Sequence, residues 1–193
     1  MFDLVNLIKT TGYIGIFLIV FMESGVLLGL FFPGDSLLFT AGFLASQDIL
    51  SFPILLIIVF LAATMGDNVG YSFGFKIGPK IFTREDSWFF SKKHLERAQK
   101  FYEKYGGRAI ILARFAPIMR TLAPIVAGVG KMHYRTFFVY NIIGSFFWGV
   151  GITSIGYFLG NLIPGVDKYL IPIIVGIIVL SLLPSIIHLL RNR

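Results

Sequence analysis

Five ionisable side chains stand in apolar surroundings: Glu23, Asp35, Asp67, Arg114 and Arg120. An uncompensated charge at the centre of a bilayer costs roughly 2.5–3.5 kcal/mol on insertion scales. Five of them would cost on the order of 10–15 kcal/mol, as much as the stability of a whole domain. They must therefore pair, meet water or carry a proton. A guanidinium is always charged and forks onto phosphate oxygens. A carboxyl can exchange a proton when its surroundings shift the balance between its two forms. The chemistry these types point to is binding of an anionic headgroup by Arg114 and Arg120, with Glu23 and Asp35 coupling its movement to protons. Asp67 is either an accessory of that site or an interfacial cap. The competing reading is a set of ion pairs that only locks the fold. Other chemistries find no residues. The chain has no Cys. His94, His133 and His188 lack metal-ligand spacing, so no metal or other cofactor is expected. P-loop, H-E-x-x-H and G-x-S-x-G signatures are absent, which argues against a hydrolase or an ATP-driven pump.

The elements that must position these charges follow from the composition. Of the 193 residues, 56% are hydrophobic and 14% charged, with 21 Phe, 21 Gly and a mean hydropathy of +0.81. Soluble domains carry about 25% charged residues, so the expected class is an all-α polytopic membrane protein forming one membrane domain. A crossing needs about 20 mostly apolar residues. Phe52–Phe75, Thr136–Leu162 and the C-terminal Tyr169–Leu190 meet that length. Two further apolar stretches are broken. Tyr13–Ser46 contains Glu23, Asp35 and the Pro33-Gly34 break; Arg108–Gly130 contains Arg114, Arg120, Pro117 and Pro124. Both are expected to be re-entrant hairpins, because irregular backbone at membrane depth is tolerated only where protein or a wet cavity covers it. The apolar run after Lys9 is interrupted by Glu23 and shows no small-residue cleavage site, so it is read as retained.

The net charge of +7 raises nucleic acid as a partner, but the positions of the basic residues argue otherwise. Nine Lys/Arg fall in the insert at 76–108, against four acids. The positive-inside rule places that insert in the cytoplasm. Leu95, Ala98, Tyr102 and Tyr105 recur at helical spacing, so Ser91–Tyr105 is expected to be an amphipathic helix ended by Gly106-Gly107. It lies on the inner membrane surface or simply connects two halves. Re-entry of 108–130 keeps Lys131 and Arg135, and then Arg191 and Arg193, on the same cytoplasmic side.

A shift of 86 residues superimposes the two halves. Ala41-Gly42 falls on Ala127-Gly128, and Gly70-Tyr71-x-x-Gly74 on Gly156-Tyr157-x-x-Gly160. Each copy is a broken segment followed by a crossing: hairpin 13–46 with crossing 52–75, and hairpin 108–130 with crossing 136–162. The insert at 76–107 separates them. One crossing per copy inverts the second copy relative to the first, the pattern of transporters with a site near the midplane. Gly66, Gly70 and Gly74 form one small-residue helix face, which means close helix packing.

At these residues the chain resembles the DedA family, also called the SNARE-associated or VTT domain membrane proteins. The likeness runs through Glu23 with Phe32-Pro33-Gly34-Asp35-Ser36, Gly66-Asp67-Asn68-x-Gly70-Tyr71-x-x-Gly74, and Arg114-Phe115-x-Pro117-x-x-Arg120 with Ala127-Gly128. It departs at Ile118-Met119, where the family pattern carries a Gly near the Pro. The resemblance implies a bacterial inner-membrane protein that acts as a lipid flippase driven by the proton-motive force. The implied cargo is undecaprenyl phosphate or a phospholipid such as phosphatidylethanolamine. It also implies that Glu23, Asp35, Arg114 and Arg120 are the essential residues.

Against this lipid transporter, which is not an enzyme and leaves room for a homo-oligomer, stand three other classes. They are a proton-coupled carrier of small soluble ions, a membrane enzyme on lipid phosphates, and a structural scaffold. The topology is testable at once, because the cysteine-free chain gives a clean background. Single cysteines at Lys93, Lys131 and Asn192 should resist an impermeant thiol reagent applied to intact cells. Labelling of Lys131→Cys from outside would contradict re-entry.

Overall fold

Long apolar runs fold as helices because each backbone N–H finds its acceptor within the same segment, and the computed structural model is helical throughout its regular elements. It describes residues 4–25, 34–81, 102, 104–115 and 117–162. Helix α1 spans Leu4–Gly25, α2 Gly34–Ser46 and α3 Phe52–Ile81. The second half repeats the plan with α4 (Arg108–Ala113), α5 (Pro117–Val129), α6 (Tyr134–Ser145), a single π-helical turn (Phe146–Val150) and α7 (Gly151–Leu162). Among the described residues two continuous helical stretches are long and apolar enough to cross a membrane, Phe52–Ile77 and Tyr134–Leu162. Helix α1 begins at Leu4, well before the hairpin boundary expected at Tyr13, since Lys9 and two threonines interrupt an apolar pattern without stopping a helix. The expected C-terminal crossing at 169–190, Pro33, His94, His188 and most of the insert lie outside the described residues. Of the insert helix, Tyr102, Lys104 and Tyr105 are helical, and the chain turns at Gly106, whose φ of +56° suits glycine.

The halves pack by exchange. Helix α2 lies on α7, and α5 lies on α3, so each short helix of one half covers the long helix of the other. Glycine makes this contact possible. A methyl group at Gly128 would collide with the Tyr71 carbonyl oxygen and stand 2.7 Å from the Phe75 nitrogen. At the equivalent Gly42 it would collide with the Thr153 carbonyl oxygen and stand 3.1 Å from the Tyr157 nitrogen. Helices α1 and α3 cross as closely, where a methyl at Gly66 would stand 2.6 Å from the Phe21 carbonyl oxygen. Two tyrosines tie the turns beyond these crossings. Ser51 N–H donates to Tyr13 Oη (2.6 Å), and Tyr71 O–H donates to the Met132 carbonyl (2.5 Å).

Polarity is inverted relative to a water-soluble globule. Ile14, Leu18 and Met22 on α1, Ile57, Leu61 and Met65 on α3, and Phe147 and Phe158 in the second half face outward. Glu23, Asp67, Arg114 and Arg120 are 1%, 1%, 2% and 5% exposed. Apolar outside and charged inside is the arrangement a lipid solvent selects. The glycine contacts give a stability test. Gly128→Ala and Gly42→Ala should each lower thermal stability in detergent, by about 1–3 kcal/mol of overpacking. Gly151→Ala, where nothing lies within 4 Å, should melt at or above the parent temperature. Equal melting of all three variants would contradict the close approach.

Candidate functional site

The buried charges meet in one place because five different helices deliver them there. Glu23 sits in the last turn of α1 and Asp35 in the first turn of α2. Asp67 lies midway along α3, Arg114 caps the C-terminus of α4, and Arg120 is in the first turn of α5. A carboxylate is favoured at a helix N-terminus and a cation at a C-terminus, so Asp35 and Arg114 suit their own helices. Arg120 does not: the N-terminal end of α5 disfavours a cation, which leaves it dependent on the acids that face it.

Those acids divide between the two arginines. Arg120 reaches Glu23 through Nη2 and Asp35 Oδ1 through Nη1, the latter at 2.6 Å. Arg114 Nη2 pairs with Asp67 and also donates to Asn141 Oδ1 (2.6 Å) and Ser145 Oγ (2.8 Å). Asn141 in turn donates to the Thr64 carbonyl (3.1 Å) and accepts from Ser145 Oγ (3.1 Å), closing a buried polar network between α3 and α6. The sequence expectation placed Glu23 and Asp35 in the first hairpin and Arg114 and Arg120 in the second. In the structure both of those acids bind Arg120, and Asp67 is the partner of Arg114.

The two centres differ in access. Arg114 and Asp67 are closed off, each with a side chain 2% exposed. At the other centre Glu23 is buried but the Asp35 side chain is 48% exposed, so Arg120 touches one sealed and one open carboxylate. The groups are not saturated. Among the described residues Glu23 Oε2, Asp67 Oδ1, Arg114 Nε and Nη1, and Arg120 Nε are buried without a hydrogen-bond partner. Orphaned charged groups of this kind are costly, and they suit a site that takes water or a ligand.

The structural motif residues frame this cluster. A methyl group on Gly34 would overlap the Glu23 carboxylate, so only glycine lets α2 start beside it. Gly144 gives Arg114 its path, since a methyl there would stand 2.8 Å from the arginine Cδ. Pro117 heads α5, the helix position that proline fits best. Gly70 and Gly74 let α5 approach α3, and Tyr71 anchors the turn at Met132. Among the described residues no group of His, Asp and Glu has the arrangement of a metal site.

Sequence reasoning missed Trp148. Its ring lies 4.4 Å from the Arg120 guanidinium carbon and 5.9 Å from that of Arg114, and its indole N–H donates to Asp35 Oδ1 at 2.7 Å. Trp148 sits inside an apolar run with no polar neighbour to single it out. The only local signal is the glycine flanking it, Gly149, which a π turn aligns so that a methyl would stand 2.9 Å from Val59 Cγ1. Asn141 and Ser145 were also missed; they are the polar residues of α6 at i, i+4 spacing, which places both on one helix face.

Comparison with known proteins agrees with this reading of the motifs. The VTT domain model matches residues 32–158, which include Asp35, Asp67, Arg114, Arg120 and Trp148. The chain is 46% identical over 183 residues to Protein DedA of Escherichia coli (strain K12), covering 94% of this chain and 83% of that protein. It is 44% identical over 169 residues to an uncharacterized membrane protein of Mycobacterium leprae (strain TN), covering 88% and 75%. To the inner membrane protein YqjA of Escherichia coli (strain K12) it is 30% identical over 149 residues, covering 77% and 68%. No solved structure matches the chain. With the family model spanning well over half its length, and with relatives 46% and 30% identical over most of the chain, the chain belongs to the DedA family of VTT-domain membrane proteins.

Proposed function

We propose that the protein is a multi-pass carrier of the bacterial inner membrane that moves a phosphate-bearing lipid across the bilayer, coupled to protons. The cargo class is that of undecaprenyl phosphate or a phospholipid. The observation that carries this reading is the pairing of Arg120 with a half-exposed carboxylate inside a body whose outer surface is apolar. A guanidinium with an exchangeable counter-ion is a receptor for another anion. The first turns of α2 and α5 come together there through Asp35 and Arg120. Converging helix N-termini add a field that favours negative charge. In this reading α1–α2 and α4–α5 are the two re-entrant hairpins, inverted relative to each other, and their tips meet at a wet site near the midplane.

Proton coupling follows from charge arithmetic. Three carboxylates (Glu23, Asp35 and Asp67) face two guanidiniums (Arg114 and Arg120). With all three ionised the cluster would carry one negative charge in excess, and a proton on one carboxyl would remove it. A phosphate headgroup brings further negative charge, which favours further protonation, so the two enter together. The same arithmetic separates the arginines. Arg114 is sealed with Asp67, Asn141 and Ser145, so it holds α3, α4 and α6 together and sets the field at the site. Arg120 meets the headgroup.

Proteoliposomes with a defined lipid panel test this directly. The native protein should translocate a phosphate-bearing lipid faster when a pH gradient is imposed. Arg120→Lys should lose most of that activity, about tenfold or more, because a point charge cannot replace the bidentate fork. Arg114→Lys should lose most of it as well, because an ammonium cannot hold Asp67, Asn141 and Ser145 together as the guanidinium does. Glu23→Gln and Asp35→Asn should stay folded and lose the response to the gradient. Lipid flux that ignores the gradient in the native protein, or full activity in both lysine variants, would overturn the reading.

Stability separates the sealed pair from the open one. Asp67→Asn leaves Arg114 buried without its counter-charge, and thermal unfolding in detergent should show a loss of about 3–5 kcal/mol. Asp35→Asn should cost far less, since its side chain is half in water. Equal losses for the two variants would argue against the division of labour.

A further inference from the structure

The contacts of Asp35 describe a seat for an anionic oxygen more closely than they describe a fixed ion pair. Two donors from different elements converge on one atom, Asp35 Oδ1: Arg120 Nη1 at 2.6 Å and the Trp148 indole nitrogen at 2.7 Å. The guanidinium lies over the indole ring, with its carbon 4.4 Å from the ring centroid, so the tryptophan both orients the arginine and adds a donor beside it. Trp148 itself is 1% exposed. A buried indole N–H needs an acceptor, and in this arrangement the acceptor is the one carboxylate of the cluster that reaches the surface.

We propose that Asp35 Oδ1 occupies the anion seat of the site and that Trp148 is a substrate-binding residue. A phosphate oxygen displaces the Asp35 carboxylate and takes over the hydrogen bonds of Arg120 Nη1 and the Trp148 indole. This deepens the carrier reading and rests on it. Glu23 is not the group that leaves, because its side chain is only 1% exposed; it stays on Arg120 Nη2 and holds the fork in place. Asp35 can leave, because nearly half of its side chain already meets solvent. Exchange then needs no rearrangement of the helices. It also selects for anions, since a neutral or cationic headgroup would strand the indole N–H and the guanidinium together.

The seat exists once although the scaffold is duplicated. Shifted by 86 residues, Trp148 falls on Ala62, a buried residue of the regular helix α3. The π turn at Phe146–Val150 has no counterpart there. Such single-turn π segments recur at functional sites because they re-aim a side chain without ending the helix. Here the turn carries the one tryptophan that completes the seat.

Binding measurements on the detergent-solubilised full chain test the proposal. The ligands are inorganic phosphate, a polyprenyl monophosphate and phosphatidylethanolamine. Trp148 and Trp88 are the only tryptophans, so Trp88→Phe leaves Trp148 as sole emitter. Addition of the polyprenyl monophosphate should shift its fluorescence. By calorimetry, Trp148→Phe keeps the ring over Arg120 but removes the donor, and should weaken monophosphate binding about tenfold, the worth of one charge-assisted hydrogen bond. Asp35→Ala empties the seat and should tighten binding several-fold. If the native chain binds the monophosphate while Trp148→Phe binds it equally well, or Asp35→Ala binds it more weakly, the seat is refuted and the carrier reading survives. If inorganic phosphate binds as tightly as the lipid and with the same dependence on Trp148, the seat stands and the lipid reading fails. If the native chain binds no phosphate at all, both fail. A fluorescence shift in Trp88→Phe keeps the test decisive even where Trp148→Phe does not fold.

Discussion

Two guanidiniums withdrawn from water must find their counter-charges inside the protein, and the described fold is organised around that requirement. Helix α1 supplies Glu23, α2 Asp35, α3 Asp67, α4 and α5 the arginines, α6 Asn141 and Ser145, and the π turn Trp148. Only α7 sends no side chain to the cluster; it backs α2 instead, through Gly156 against the Phe39 carbonyl. Losing Asp67 would leave Arg114 buried without its counter-charge, a penalty that exceeds what most single contacts contribute. The apolar exterior makes the requirement stricter, since of the five ionisable side chains in the cluster only that of Asp35 is substantially exposed.

The scaffold is duplicated but the chemistry is not. Glycine crossings repeat between the halves, with Gly42 against Thr153 and Gly128 against Tyr71. The charged residues have no charged counterparts. Shifted by 86 residues, Arg120 falls on Gly34, Asp35 on Thr121 and Asp67 on Thr153. Reciprocal packing therefore supplies a rigid frame, and each half contributes a different part of one site. Acids come from the first half, arginines and the tryptophan from the second.

Much of this was legible in the residues. Ionisable groups in apolar stretches marked the residues that cluster, because the cost of burying them alone demands partners. The repeated Gly-Tyr-x-x-Gly marked where helices approach. Pairing was not legible. Arg114 and Asp67 are 47 positions apart, and no spacing rule distinguishes that partner from Glu23 or Asp35. The start of α1 at Leu4 was hidden because polar residues end an apolar run without ending a helix. Trp148 was hidden because, in a sequence this apolar, an aromatic residue in a long run is expected to face lipid or core. Only the π turn brings its N–H to Asp35.

In the proposed carrier, three acids facing two arginines make anion entry and proton entry one event. Proton uptake on binding measures this without any transport assay. Titrating a polyprenyl monophosphate into the native chain in buffers of different ionisation enthalpy separates binding heat from proton exchange. Net proton uptake by the complex is expected on binding, with loss of that uptake in Glu23→Gln combined with Asp35→Asn. Binding of the same tightness with no proton exchange in any buffer would contradict it.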